Sequence, residues 1–124
     1  MTLKELYNEI DGDYEQALSV LRIEKLIDKH IRKLPANTIF ADLDEAGKTL
    51  DPTRLFESAH AIKGVCYNLG LVKLASLAET ICNEFRPGNP RKLSDDEVKD
   101  LISGVDALFK KAADGITAYS EAGQ

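Results

Sequence analysis

Apolar residues recur at spacings of three and four through nearly the whole chain, and no stretch shows sustained alternation of apolar and polar positions with β-branched enrichment. Spacings of three and four place side chains on one face of a helix, whereas strict alternation is typical of a half-buried strand. The pattern therefore predicts an all-α fold.

The N-terminal third of the chain predicts short helices. Thr2 followed by Glu5 is a capping box, in which each side chain bonds a backbone N–H of the other residue at a helix start. Residues 12–21 predict a second short helix. Residues 23–34 predict a third, of about three turns, which Pro35 ends because proline has no backbone N–H and clashes with the preceding turn.

Four longer segments follow. Asp51 and Pro52 are a typical N-cap and first helical residue, and Ser94 with Glu97 is a second capping box. The four predicted segments are residues 38–50, 52–69, 71–85 and 95–116.

Short connections between long amphipathic helices favour an antiparallel bundle. We predict one domain over residues 1–124, with an antiparallel four-helix bundle at about 36–118 and one or two short additional helices on its N-terminal side. The alternatives are a complete small protein and a fragment of a larger one, and Met1 with the capped first helix favours the first.

The charge distribution argues against one class of partner. The formal net charge is −5, and both signs are interspersed along the chain, so no basic stripe is present that would neutralise a phosphate backbone. Nucleic acid is therefore not an expected partner. Neither a signal-peptide pattern nor an apolar run of roughly 18 residues occurs, which predicts a cytoplasmic protein that does not enter a membrane.

The segment with the most distinctive chemistry is the predicted helix 52–69. One set of its residues, spaced by four, three, four and three, must face the core, and we call it the core stripe. The core stripe comprises Leu55, Ala59, Ile62, Cys66 and Leu69.

A second set follows the same spacing one position later. It consists of Phe56, His60, Lys63 and Tyr67, with Gly64 beside it, and we call it the His60 stripe. The rotation predicts that His60 lies at the edge of the core or outside it. Taken alone, a histidine on such a boundary is most often a partly exposed packing residue. Phe56 and Tyr67 are either aromatic residues at the core edge or part of a partner-docking surface.

The neighbours of His60 favour a chemical role. Lys63, three residues later, shares its face and can reach a group attached to the imidazole. Gly64 costs about 1 kcal/mol relative to alanine in a helix interior, and it leaves room for another surface to approach. A neutral imidazole is a nucleophile and the ammonium stabilises anionic oxygens, so the arrangement suits phosphoryl transfer.

Competing sites lack residues. Glu57 and His60 form one Glu-x-x-His pair, but a di-iron bundle needs two such pairs and two further glutamates. A zinc site built from His30, His60, Cys66 and Cys82 has no short ligand spacing, and both cysteines have the helical spacing of buried core residues. No phosphate-binding G-x-x-x-x-G-K-[ST] loop occurs, so we expect no ATP-dependent kinase activity.

The run HAIKGVCYNLGL at residues 60–71 resembles the signature of the histidine-containing phosphotransfer (Hpt) domain: His, two residues, Lys-Gly and, after a short gap, Leu-Gly. Leu74, Leu77 and Ala78 continue the apolar spacing of the family's following helix. The family often has small residues such as Ser or Ala after Lys-Gly, where this chain has Val65, Cys66 and the large Tyr67.

The resemblance implies a four-helix bundle in which a receiver aspartyl-phosphate phosphorylates His60, which then passes the group to another receiver. Lys63 would steady the phosphoryl group and Gly64 would admit the receiver. The implied partners are response-regulator receiver domains and a histidine kinase or hybrid kinase. No metal or cofactor of its own is implied, because the receiver supplies magnesium, and we expect a monomer.

A second hypothesis uses the same surface without chemistry. A helical module that binds receivers or a histidine kinase would contact them through Phe56, Gly64 and Tyr67 and carry no phosphate. The intact His-x-x-Lys-Gly run favours the carrier.

Overall fold

The computed structural model describes residues 1–123, all of whose regular elements are helices, so the all-α prediction is confirmed. Gln124, the last residue of the predicted domain, lies outside the described residues. Seven α-helices occur in this part of the chain, together with one short 3₁₀ helix, Leu34–Ala36. The α-helices are α1 Leu3–Glu9, α2 Tyr14–Leu21, α3 Glu24–Ile31, α4 Ile39–Thr49, α5 Pro52–Asn68, α6 Val72–Glu84 and α7 Asp95–Ala122.

The helix starts follow the capping residues in the sequence. Thr2 and Glu5 form the predicted capping box of α1, and Ser94 and Glu97 form that of α7. At the start of α5, the Asp51 carboxylate accepts hydrogen bonds from the backbone N–H groups of residues 53 and 54, at 3.1 and 3.2 Å. These bonds satisfy donors that have no partner within the helix.

The third helix is shorter than predicted. It ends at Ile31 rather than continuing to residue 34, and Pro35 lies inside the 3₁₀ helix. The backbone N–H of Lys33 donates to the carbonyl of His30, three residues back, at 3.2 Å. This is the hydrogen-bond spacing of a 3₁₀ helix, which is wound more tightly than an α-helix. Proline disfavours α conformation in the preceding residue, so the α-helix stops before reaching it.

The N-terminal helix count also differs from the prediction. All three N-terminal segments predicted as helices are present, so three short α-helices precede α4 where one or two were expected beside the bundle. With only two turns, α3 stays one of the short helices. In this region α1 packs on α7, and α2 packs on α3 and α5.

The four longer helices pack on one another around a buried core. α5 contacts α4 and α6, α6 contacts α7, and α7 also contacts α4. All five core-stripe residues, four on α5 and Leu69 directly after its end, are buried, as the spacing predicts. Phe40 of α4 and Phe109 of α7 stack with ring centroids 3.9 Å apart. Burial of these apolar side chains fixes how α5 is rotated, and hence which residues it presents to solvent.

The tight connection between α5 and α6 requires glycine. Gly70 has a φ of +71°, and a Cβ there would lie 2.1 Å from the carbonyl oxygen of Asp13. The backbone N–H of Asp13 in turn donates to the Gly70 carbonyl at 2.7 Å. The turn is therefore packed against the start of α2, which sets the relative position of α5 and α6.

The connection between α6 and α7 is held by one buried carboxylate. Glu84 accepts hydrogen bonds from the Arg91 guanidinium at 2.8 Å and from the backbone N–H groups of Lys92 and Leu93 at 3.0 and 2.8 Å. Desolvation acts to raise the pKa of Glu84, but these hydrogen bonds outweigh it and the pKa is lowered. The loop is thereby fixed to the end of α6.

Candidate functional site

His60 lies on α5 with its side chain exposed, directly beside the buried Ala59. One residue of helix corresponds to a rotation of about 100°, which carries His60 away from the core stripe. The predicted position at or outside the core edge is confirmed. The imidazole is accessible to a macromolecular partner, which a buried histidine would not be.

The imidazole is flanked by two side chains. Its ring stacks on Phe56, one turn earlier on α5, with centroids 5.7 Å apart and planes inclined by 18°. Its Nδ1 lies 3.9 Å from Sγ of Cys82 on α6. Nδ1 therefore faces the thiol. The other ring nitrogen, Nε2, makes no such contact with residues 1–123. The contacts restrain the plane of the ring.

Cys82 is a fully buried thiol, as the core-packing interpretation predicted. Burial raises its pKa, against smaller opposing effects from Arg86 and Lys63. The group therefore stays protonated at neutral pH, when it is a weak donor and a weak acceptor. What the sequence did not reveal is that this core thiol also contacts the exposed imidazole.

Lys63 forms an ion pair across the α5–α6 interface. Its Nζ lies 3.7 Å from Oε1 of Glu79, and the two side chains are 35% and 52% exposed. Pairs with this exposure contribute little to stability, because water competes for both partners. The ammonium therefore remains available to another anion nearby.

Arg86 supplies a second cation that the sequence interpretation missed. Its guanidinium lies over the Phe56 ring, 5.4 Å from the centroid, on the residue that stacks with His60. Its Nη2 also lies 3.8 Å from Sγ of Cys82 and donates to Oδ1 of Asn83 at 3.3 Å. These contacts direct the guanidinium toward the α5–α6 surface.

Gly64 and Tyr67 form the open part of the His60 stripe. Among residues 1–123, and beyond the neighbouring helix backbone, no atom lies within 4 Å of the point that a Gly64 Cβ would occupy. Tyr67 is 53% exposed, which favours a place on a partner-docking surface over packing at the core edge. Phe56 is half-buried and packs against the core. The surface next to His60 is thus flat at Gly64 and apolar on either side.

The residues missed by sequence reasoning all come from the region of α6. Glu79 and Cys82 are three positions apart and share one face of α6, and Arg86 follows two residues beyond the helix end. That spacing was visible as a pattern. Its meaning depended on which face of α6 meets α5, and this depends on the Gly70 turn.

Three further observations concern features outside the His60 stripe. Within residues 1–123, no cluster of three or more His, Cys, Asp or Glu side chains is arranged to hold a metal ion. His30, expected to contribute packing or a helix-end contact, is exposed in the last turn of α3 and lines a groove with Leu21 and Val65. In the same residues, no helix combines the length and apolar character needed to cross a membrane.

A family model for the Hpt domain matches residues 23–110. The chain belongs to the Hpt domain family. The match covers more than half of the chain and includes α3 to α6 and the first part of α7, hence every residue of the site described above. Comparisons with curated proteins and with solved structures gave no match. Hpt domains function in histidine phosphotransfer within phosphorelays and interact there with receivers and kinases.

Proposed function

We propose that this Hpt protein is a phosphorelay carrier that accepts a phosphoryl group on His60 from a receiver aspartyl-phosphate and passes it to another receiver aspartate. The observation that carries the proposal is the exposed His60 imidazole with Lys63 on its own helix and Arg86 on the adjacent helix end. The family assignment supports the reaction class.

The transfer is a substitution at phosphorus. The lone pair on Nε2 of neutral His60 attacks the phosphorus, the Nε2–P bond forms, and the P–O bond to the aspartyl group breaks. The aspartate leaves as a carboxylate with the bonding electron pair, and the proton on Nδ1 stays on the ring. Return transfer to a second aspartate reverses the same bond changes.

The Nδ1 contact favours this chemistry. In the proposed reactive tautomer, Nδ1 of His60 carries the proton and directs it at Sγ of Cys82, 3.9 Å away. The lone pair is then on Nε2, where the incoming phosphorus needs it. Because sulfur is a weak acceptor, the thiol restrains the ring without fixing it strongly.

The two cations act on the charge of the transferring group. During phosphoryl transfer the equatorial oxygens carry negative charge, which nearby cations stabilise. Lys63 is one turn from His60 on the same face, and Arg86 approaches from the end of α6 over Phe56. We propose that Lys63 contacts the phosphoryl oxygens and that Arg86 adds longer-range stabilisation.

The docking surface is the remainder of the His60 stripe. Gly64 allows the receiver backbone to approach the helix, and Phe56 and Tyr67 provide apolar contact on either side. Magnesium belongs to the acidic pocket of the receiver in this proposal, and this chain contributes no ligand to it.

The finer architecture is part of the proposal. We infer that α4, α5, α6 and α7 form an antiparallel four-helix bundle within one domain. The contacts of each helix with the next, and of α4 with α7, support this arrangement. The bundle would hold α5 and α6 rigidly, so that the imidazole and both cations keep their relative positions.

The experiment is transfer from a phosphorylated receiver. A receiver domain labelled with a small phosphodonor and freed of it is mixed with this protein and magnesium, and label on this chain is followed. Acid-labile, base-stable phosphate is expected on the wild type. Binding without any label, equal for wild type and His60→Gln, would instead support the docking module that carries no phosphate.

A further inference from the structure

The Lys63 ammonium lies between two anionic groups once His60 is phosphorylated. One is the Glu79 carboxylate, already 3.7 Å from Nζ. The other is the phosphoryl group on His60, three residues earlier on the same helix face. Before transfer the Lys63–Glu79 pair is neutral as a unit. After transfer one lysine faces a carboxylate and a group of about two negative charges.

We propose that Glu79 sets the phosphoryl-transfer equilibrium of His60, by occupying Lys63 before transfer and by repelling the phosphoryl group after it. This inference rests on the proposed carrier function. Glu79 forms and breaks no bond in the reaction, so it is a positioning residue that acts through Lys63 and through its own charge. Its effect is to make the phosphohistidine less favourable and discharge to a receiver easier.

The geometry of the pair fits a competing role rather than a structural one. Glu79 is on α6 and Lys63 on α5, and both side chains are substantially exposed, so their separation leaves packing in place. The weak pair can exchange a carboxylate for a more highly charged phosphoryl group at small cost. A carboxylate needed for folding would instead resemble Glu84, which is buried and fully hydrogen-bonded.

The other charges around His60 do not replace Glu79. Glu57 is one turn before His60 on α5 but lines a separate hollow with Arg54, next to α4. Arg86 contacts Asn83 and Cys82 and is paired with an amide rather than a carboxylate. Among the charged groups of residues 1–123 that face the site, Glu79 is the one paired with Lys63.

The test measures forward and reverse transfer between a labelled receiver domain and four forms of this protein. These are wild type, Glu79→Gln, Glu79→Ala and the control Asp114→Asn. Asp114 pairs with Lys110 at 2.9 Å on α7, so the control also removes one carboxylate from a lysine pair. Glu79→Ala excludes an effect in which the new glutamine amide itself bonds the phosphoryl group.

Both Glu79 variants are expected to shift the equilibrium toward phosphorylated His60 by about threefold to tenfold, mainly by slowing discharge. Asp114→Asn should match the wild type. In a Lys63→Ala background the effect of Glu79→Gln should shrink, because the lysine it competes for is gone. General loss of structure would lower phosphorylation, so the direction itself separates the two explanations.

An unchanged or lowered equilibrium constant in both Glu79 variants, with wild-type helical content and melting temperature, would overturn the inference. That outcome leaves the carrier function standing, since the wild type is labelled. Absence of label on the wild type itself would reject the carrier function, and the role of Glu79 with it.

Discussion

The Sγ atom of Cys82 lies 3.9 Å from Nδ1 of His60, so a thiol in the core of α6 contacts an imidazole that is open to solvent on α5. The contact therefore links the packing of the core to the position of the His60 imidazole. The same side chain fills space between two helices and orients the ring that we propose receives phosphate.

Cys82→Ala should therefore affect both properties. We expect a loss of about 1–2 kcal/mol in the free energy of unfolding from the vacated volume, and transfer slowed by about threefold to tenfold because the ring gains freedom. Cys66→Ala is the matched control. Cys66 is also fully buried, and burial raises its pKa to about 12.

Chemical denaturation and transfer rates measured on both variants separate the two effects. The control should lose stability while keeping the transfer rate. Equal transfer rates for Cys82→Ala and Cys66→Ala at matched stability would show that the thiol does not orient His60.

Gly64→Ala should stabilise the protein and impair its function. The new methyl group would clash with no atom of residues 1–123. In an exposed helix interior, alanine is more favourable than glycine by about 0.5–1 kcal/mol. The same methyl would stand where the receiver approaches, so transfer should slow. Thermal melting and transfer rates check both signs. A stabilised variant that transfers at the wild-type rate would argue against docking at this position.

Gly115→Ala provides the opposite case for glycine. A Cβ at Gly115 would lie 2.6 Å from Cγ2 of Ile10, inside the core, so this substitution should destabilise the protein. Its transfer rate should stay unchanged at temperatures where it is folded. The pair distinguishes a glycine kept open for a partner from one required by packing.

Lys63→Ala should slow phosphoryl transfer by about tenfold to a hundredfold while the melting temperature changes little. The ammonium lies outside the core stripe and its ion pair with Glu79 is exposed, so its removal should cost little stability. The transition state loses a cation near its equatorial oxygens. Single-turnover transfer rates measure the effect, and an undiminished rate would exclude Lys63 from the reaction.

Asp106→Asn should stabilise the protein at neutral pH. Desolvation, together with a hydrogen bond to Asp44 and repulsion from that carboxylate, raises the pKa of Asp106 to about 7. The unfolded carboxyl titrates near 3.8, so its contribution to stability is present below that pH and is lost as pH rises through about 7. The amide removes this loss.

The gain should be roughly 1–2 kcal/mol above pH 7, after allowance for solvent screening at this half-buried position, and should vanish near pH 3. Urea denaturation of wild type and variant at several pH values measures it. A gain that stays constant with pH would mean that the carboxyl pair is not its source.

Much of the fold is predictable because its determinants are local. The capping boxes at Thr2 and Ser94, the Asp51 cap and the spacing of the core stripe mark helix positions and the rotation of α5 within a few residues. There are two exceptions. In α3, Pro35 acts several residues upstream through a 3₁₀ turn instead of ending the α-helix beside itself, and α7 continues to Ala122, past the predicted end at residue 116.

The candidate site likewise has a part that the sequence predicts and a part that it does not. His60, Lys63 and Gly64 share one helix, so spacing alone predicts that they are neighbours. Cys82 and Arg86 reach them across a helix interface. How far along α5 these two residues lie depends on the Gly70 turn and on its packing against Asp13. No local pattern in either helix encodes that packing.

The central claim is that His60 carries the phosphoryl group, and the most direct test compares wild type with His60→Gln. The side chain is exposed, so the variant should fold with a change in stability within about 0.5 kcal/mol. After incubation with a labelled receiver domain and magnesium, we expect acid-labile, base-stable phosphate on the wild type and none on the variant. Equal labelling of both proteins, or none on the wild type with several receivers, would contradict the account.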